Sequence, residues 1–131
     1  MKEFEGKVAL VTGGGSGIGR ATALAFAREG AQVVIGNRNV ERGEETVSMI
    51  RDAGGTASFQ GTDVAVAAEV EALVEHAVKT CGGLDIAFNN AGIEGPAAPL
   101  EEQTEANYDE VMDINVKGVW LSMKARANFR R

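Results

Sequence analysis

The sequence predicts a single α/β domain: a doubly wound parallel sheet of about four strands, order 3-2-1-4, with helices on both faces. Short apolar runs alternate with helical patterns that end in glycine, and this alternation implies parallel pairing through right-handed crossovers. The first two runs are continuously apolar, as strands covered on both faces are. A glycine-rich string, Thr12-Gly13-Gly14-Gly15-Ser16-Gly17-Ile18-Gly19, follows the first run and leads straight into the first helical pattern.

The first strand is placed at Val8–Val11, and its helix ends where Gly30 sits in a C-terminal cap position. The second strand is Val33–Ile35, and the helix after it stops at the pair Gly54-Gly55. The third strand is Ala57–Gln60. Its helix carries the clearest stripe in the chain, Val70, Leu73, Val74, Ala77, Val78 and Cys81, and stops at Gly82-Gly83. The fourth strand, Leu84–Phe88, leads into a loop containing both prolines, Pro96 and Pro99. A longer helix is expected from near Thr104 to the end, with Val111, Ile114, Gly118, Leu121, Ser122 and Ala125 on its inner side. Glu101, Glu102 and Glu105 supply acidic charge near its start, and Arg126, Arg130 and Arg131 complement its dipole at the other end.

With 131 residues, 44% of them hydrophobic, the chain suits one packed core rather than disorder. A net charge of −6 argues against a surface that tracks a nucleic-acid backbone, so an anionic ligand has to meet a locally positive site. No apolar run reaches the roughly 18 residues of a membrane span. The segment Met1–Lys7 lacks the uninterrupted apolar stretch of a secretory signal. Cys81 is the only cysteine, which excludes an internal disulfide and fits a reducing cytoplasm. Its place on an apolar stripe makes it core filler. His76 falls off that stripe and reads as a solvated surface residue. No metal cluster, Ser/His/Asp set or pair of carboxylates stands out.

In an open doubly wound sheet the ligand lies across the carboxyl ends of the strands. Strand one delivers the glycine turn there, strand two Gly36-Asn37-Arg38, strand three Thr62-Asp63-Val64 and strand four Asn89-Asn90-Ala91-Gly92. Glycines between a strand and a helix let the backbone approach phosphate oxygens, while the helix's unpaired N–H groups face the negative charge. The turn is thereby a candidate nucleotide-binding element. Ser16 offers it a hydroxyl, and Ile18 its backbone.

Four motifs stand in order along the chain. Thr12, Gly13, Gly17 and Gly19 meet the spacing Thr-Gly-x-x-x-Gly-x-Gly; Asp63-Val64, Asn89-Asn90-Ala91-Gly92 and Asn115 follow, the last in the run Met112–Gly118. On these, the chain from about Lys7 to Lys124 resembles the short-chain dehydrogenase/reductase family. The resemblance implies a Rossmann-type fold, a nicotinamide dinucleotide, and hydride transfer between that cofactor and an alcohol/carbonyl pair. It implies that Asp63 contacts the adenine amino group, that Val64 packs on the ring, and that Asn90, Ala91 and Gly92 approach the cofactor's ribose. Asn89 ties strand four to its neighbours. Asp63 also has the chemistry to cap the next helix, and both roles can coexist.

At the end of strand two a carboxylate would accept bonds from both ribose hydroxyls and repel a 2′-phosphate. Neutral Asn37 holds that place here, eighteen residues after Gly19, with Arg38 beside it. A guanidinium suits a phosphate, so the reading favours NADP(H) over NAD(H). Two readings stand for Asn115: by resemblance it holds a water in a proton relay, or it is a satisfied core asparagine that kinks its helix.

The family's chemistry also calls for a serine, and for a tyrosine followed four residues later by lysine. The only tyrosine, Tyr108, precedes Asn115 and has Met112 four residues on. The chain is therefore expected to be a dinucleotide-binding half that carries Asn115 without the proton donor. The rival readings are a non-enzymatic module that binds or senses dinucleotide, and an inert fragment. An open fourth-strand edge and an unpartnered long helix predict self-association.

Overall fold

The computed structural model describes residues 2–129. Strands β1 (Val8–Thr12), β2 (Gln32–Asn37), β3 (Thr56–Gly61) and β4 (Ile86–Asn89) form one sheet in the order β3-β2-β1-β4. Every pairing is parallel. The register sets Thr12 opposite both Gly36 and Asn89, so three strands end level at their carboxyl ends.

Alternate residues of the central strands feed two separate cores, as the two-residue period of a strand requires. Ala9, Val11, Val33 and Ile35 pack with Ala23 of α1 (Gly17–Arg28) and with Val47 and Ile50 of α2 (Val40–Asp52). Leu10 and Val34 pack on the other face, with Val70, Leu73, Val74 and Ala77 of α3 (Ala67–Cys81) and with Leu121 and Ala125 of α5 (Gly118–Asn128). All of the predicted stripe of the third helix except Val78 makes this contact, with Cys81 at its half-buried edge, where burial pushes the thiol's pKa up. Gly30, Gly54 and Gly82 follow the ends of α1, α2 and α3 with positive φ, as the cap pattern required.

Several local expectations are corrected. The fourth strand begins at Ile86; before it, Leu84 packs against the core on the α3 face, and Asp85 meets Val8 twice, its N–H donating to the Val8 carbonyl at 3.0 Å and its carboxylate accepting from the Val8 N–H at 2.9 Å. The long helix is three pieces: α4 (Glu105–Met112), capped by Thr104, then a π turn over Asp113–Lys117, then α5. The Gly118 N–H reaches back to the Asp113 carbonyl across that turn. Gly118 then lies so close to Val64 that a Cβ there would stand 2.6 Å from its side chain. His76 is half-buried rather than solvated, its Nε2 3.1 Å from the Ser58 hydroxyl on β3. Asp63 does not cap α3, whose N-cap is Val66; its carboxylate accepts instead from the Ala65 N–H at 3.0 Å, closing a tight turn. Arg130 and Arg131 lie outside the described residues. Among the described residues, no helix is long and apolar enough to cross a membrane.

At the ends of the central strands the Thr12 side chain, 2% exposed, joins β1 to the chain leaving β4. Its hydroxyl oxygen accepts from the Asn90 N–H at 3.0 Å and the Ala91 N–H at 3.2 Å. Asn90 has a second acceptor in the Phe88 carbonyl. Thr12→Val conserves volume but leaves the Ala91 N–H without an acceptor, at an expected cost of about 1–3 kcal/mol. A lowered urea midpoint, together with faster amide hydrogen exchange at Ala91, is the result that checks it.

Candidate functional site

A cavity of about 540 Å³ opens at the carboxyl ends of the strands. One wall is Gly13, Gly15 and Ser16; a second is Asn37, Arg38, Asn39 and Arg42; the far side is Thr62, Asp63, Val64, Ala91, Gly92, Ile93 and Ile114. Every strand in the sheet contributes, because parallel strands send the following loops to one edge.

The glycine turn owes its shape to what its glycines lack. Gly13 has φ +68, and a Cβ there would meet Ala91 Cα at 3.0 Å. A Cβ on Gly19 would strike the Gly13 carbonyl oxygen and stand 2.6 Å from Asn90 Nδ2. The first turn of α1 is thereby drawn tightly against the end of β1. Ser16 is the N-cap of α1, exposed, with no side-chain bond to the helix. The first N–H groups of α1 thus have no capping side chain, the arrangement that receives an anion.

The second wall begins where β2 ends. Asn37 donates through Nδ2 to the Asn39 carbonyl at 2.6 Å, while its Oδ1 is buried with no donor. A buried acceptor left unmatched costs about 1–3 kcal/mol. Arg38 is exposed on the cavity rim. Asn39 caps α2 by accepting from the Arg42 N–H at 3.0 Å. Arg20, from α1, ties this region together: it donates to Thr46 Oγ1 at 2.9 Å and pairs with Glu45 at 2.8 Å.

On the far side, Asn90 donates through Nδ2 to the Gly13 carbonyl at 3.3 Å, so its amide braces the glycine turn from behind. Asn115 grips the loop after β4 at two points. Its Oδ1 accepts from the Ile93 N–H at 2.8 Å, and its Nδ2 donates to the Ile93 carbonyl at 2.7 Å. Gly92 lets the pair close, since a Cβ there would approach Asn115 Oδ1 to 3.2 Å.

The cavity thus gathers eight of the predicted site residues: Gly13, Ser16, Asn37, Arg38, Asp63, Val64, Ala91 and Gly92. Gly17, Ile18, Gly19, Asn90 and Asn115 are absent from its lining. Gly19, Asn90 and Asn115 support it from the layer behind, while the Ile18 side chain is 72% exposed. Sequence reasoning missed Gly15, Asn39, Arg42 and Ile93 as lining residues, and placed Ile114 only in the core. Asn39 carried the signal of an N-cap type before a helix; Arg42 had none, since it meets Gly15 only through the packing of α2 on the glycine turn. Among the described residues, no three of His, Cys, Asp and Glu come together as a metal site requires.

Comparisons with known proteins agree with this geometry. The short chain dehydrogenase family profile matches residues 7–129. An uncharacterized oxidoreductase of Thermotoga maritima is 47% identical over 121 residues, covering 92% of this chain and 47% of that protein. Cyclohexanol dehydrogenase of an Acinetobacter species is 42% identical over 121 residues, covering 92% and 48%. A crystal structure of NAD+-bound xylitol dehydrogenase superimposes with a TM-score of 0.94 at 37% identity, over 98% of this chain and 49% of that one. The chain spans about half the length of the relatives it matches. With its four-stranded parallel sheet, its glycine turn and a family match over nearly its whole length, the chain belongs to the short chain dehydrogenase family.

Proposed function

We propose that this chain is the dinucleotide-binding domain of an oxidoreductase acting on an alcohol/carbonyl pair, and that it holds NADP(H) in preference to NAD(H). The observation that carries the reading is the single cavity in which a side-chain-free glycine turn faces Asn37 and Arg38. The residues fit such a ligand. Gly13 and Gly15 present bare backbone to the cavity at the uncapped start of α1, as a pyrophosphate requires, and the buried Asn37 Oδ1 lacks the donor that a ribose hydroxyl provides. When bound, the nicotinamide gives or takes the hydride.

The remaining roles belong to the chain's own side chains. Asp63 receives the adenine amino group, and Val64 packs against the ring. Ala91 and Gly92 border the ribose next to the nicotinamide, with Asn90 bracing the turn between the two ends. Arg38 meets the 2′-phosphate, where a carboxylate would repel it. Asn115 is the chain's member of a proton relay. The sequence holds no Tyr-x-x-x-Lys pair, so binding without turnover is expected of it by itself. The single cysteine and the absence of any membrane-crossing helix among the described residues support a cytoplasmic setting.

A second copy of the chain is the expected partner. β4 lies at one edge of the sheet, and Val116, Trp120 and Met123 are each more than half exposed along the neighbouring helix. Light scattering of the concentrated protein is expected to report a dimer or larger species, and a soluble monomer overturns this part of the reading.

Calorimetric titration tests the cofactor assignment. NADPH is expected to bind with micromolar affinity and NADH more weakly. Arg38→Ala is expected to weaken NADPH roughly tenfold while leaving NADH little changed, the loss of one charge-assisted phosphate contact. Equal effects on both nucleotides, or none, overturn the NADP(H) preference. Gly19→Ala is expected to abolish binding of both.

A further inference from the structure

Arg42 lines the same cavity as Arg38, although no motif draws attention to it. Its stem lies over the middle of the glycine turn: a Cβ built on Gly15 would stand 3.1 Å from Arg42 Cβ and 3.1 Å from Asn37 Nδ2. Gly15, Asn37, Arg38 and Arg42 thus wall one corner of the cavity, at the end of β2 where the adenosine ribose belongs in the reading above.

Both arginines are free to act there. By helical spacing the carboxylate in reach of Arg42 is Glu45, three residues along α2. Glu45 is held elsewhere, 2.8 Å from Arg20 Nη1. Arg20 also donates to the Arg42 carbonyl at 3.3 Å and to the Thr46 hydroxyl at 2.9 Å, fixing the first turn of α2 on α1. Thr46 in turn donates to the Gly14 carbonyl at 2.9 Å, so the same cluster is pinned to the glycine turn. Among the described residues, neither Arg38 nor Arg42 forms an ion pair. In a chain of net charge −6, two arginines without an ion-pair partner among the described residues line the same cavity.

The two are not equivalent. Arg38 also borders an adjoining recess of about 380 Å³ that is lined by Asp63, Asp109, Glu110 and Asp113. Four carboxylates therefore oppose its field on that side. Arg42 borders only the first cavity, whose lining holds one of those carboxylates, Asp63, so its charge is the less opposed of the two.

We infer that Arg42 is a second specificity-determining residue, recognising a phosphate on the adenosine 2′-oxygen, and that Arg20 is its positioning residue because it keeps Glu45 away. The inference rests on the dinucleotide reading and deepens it: the ligand class of this corner is 2′-phosphorylated adenosine, gripped by two forked guanidiniums.

Adenosine 2′,5′-bisphosphate and 5′-AMP differ only in the 2′-phosphate, and calorimetry with both isolates the corner. The unaltered chain is expected to favour the bisphosphate. Arg42→Gln is expected to weaken the bisphosphate roughly tenfold and to leave 5′-AMP unchanged, with the fold checked by circular dichroism. Arg20→Gln is expected to weaken the bisphosphate as well, and adding Glu45→Gln to it to restore most of the loss, a rescue that mere loosening of α2 would not show. Bisphosphate binding unaffected by Arg42→Gln but weakened by Arg38→Gln overturns the role of Arg42 and leaves the NADP(H) reading standing. Failure of the Glu45→Gln rescue overturns the role of Arg20. If the unaltered chain binds 5′-AMP as tightly as the bisphosphate, or binds neither, the NADP(H) reading and the inference fall together.

Discussion

Everything at the carboxyl edge of the sheet depends on the backbone of Gly13. Its N–H donates to the Gly36 carbonyl at 2.9 Å, continuing the β1–β2 ladder one residue past the strand. Its carbonyl accepts from Asn90 Nδ2 at 3.3 Å, joining the segment after β4. Gly19, in the first turn of α1, packs directly against that carbonyl. One residue at φ +68 therefore fixes two strand ends, one loop and one helix relative to each other. The cavity exists because these four pieces stop short of filling the space between them. A side chain at Gly13 or Gly19 would do more than crowd a ligand, since it would push apart the elements that define the site.

A second constraint is electrostatic. An acidic chain that offers a site to an anion cannot rely on its overall field. It has to keep a few cations from pairing with the carboxylates that outnumber them. The Arg20–Glu45 pair does this by geometry rather than by energy. Glu45 is 57% exposed, and an ion pair so solvated contributes little to stability. What the pair does is occupy the one carboxylate at helical spacing from Arg42. Thr46, fully buried beneath it, carries the same cluster to Gly14, so helix packing and site electrostatics share one set of bonds.

Much of this was legible in the sequence, and the rest was not, for identifiable reasons. β1 and β2 announce themselves because both of their faces are buried, which leaves no polar residue to blur the run. The stripe of α3 is plain because one face carries all its packing. The order 3-2-1-4 is legible through the set of motifs and the family they resemble rather than through handedness, since a sheet ordered 2-1-3-4 also has right-handed crossovers. Most of the misread pieces turn on contacts between residues distant in the chain. His76 looked solvated because helical periodicity cannot see Ser58, eighteen residues away on β3. Asp63 looked like a cap because its residue type suits one, whereas it closes a local turn four residues before α3 begins. Arg42 carried no signal at all, because what makes it part of the site is Gly15, brought to it by the fold.

For Asn115 the structure shows the satisfied amide of one reading, and the bonding capacity it leaves over is compatible with the proposed relay. An amide offers two hydrogens and two lone-pair directions. Ile93 takes one of each, at 2.7 and 2.8 Å, which satisfies the cost of setting a polar group beside the core. One hydrogen and one lone pair remain. The π turn over Asp113–Lys117 adds a residue to the helix where Asn115 sits, and such turns recur at functional sites because they re-aim a side chain without ending the helix. Being held at two points also stops the amide from rotating, so the donor and acceptor that remain keep fixed directions. That is the property a proton relay requires of a group that binds a water. The bond pair that latches the loop carrying Ala91, Gly92 and Ile93 is thus also what orients Asn115, and loosening the latch would disturb the cavity wall and the proposed relay at the same time.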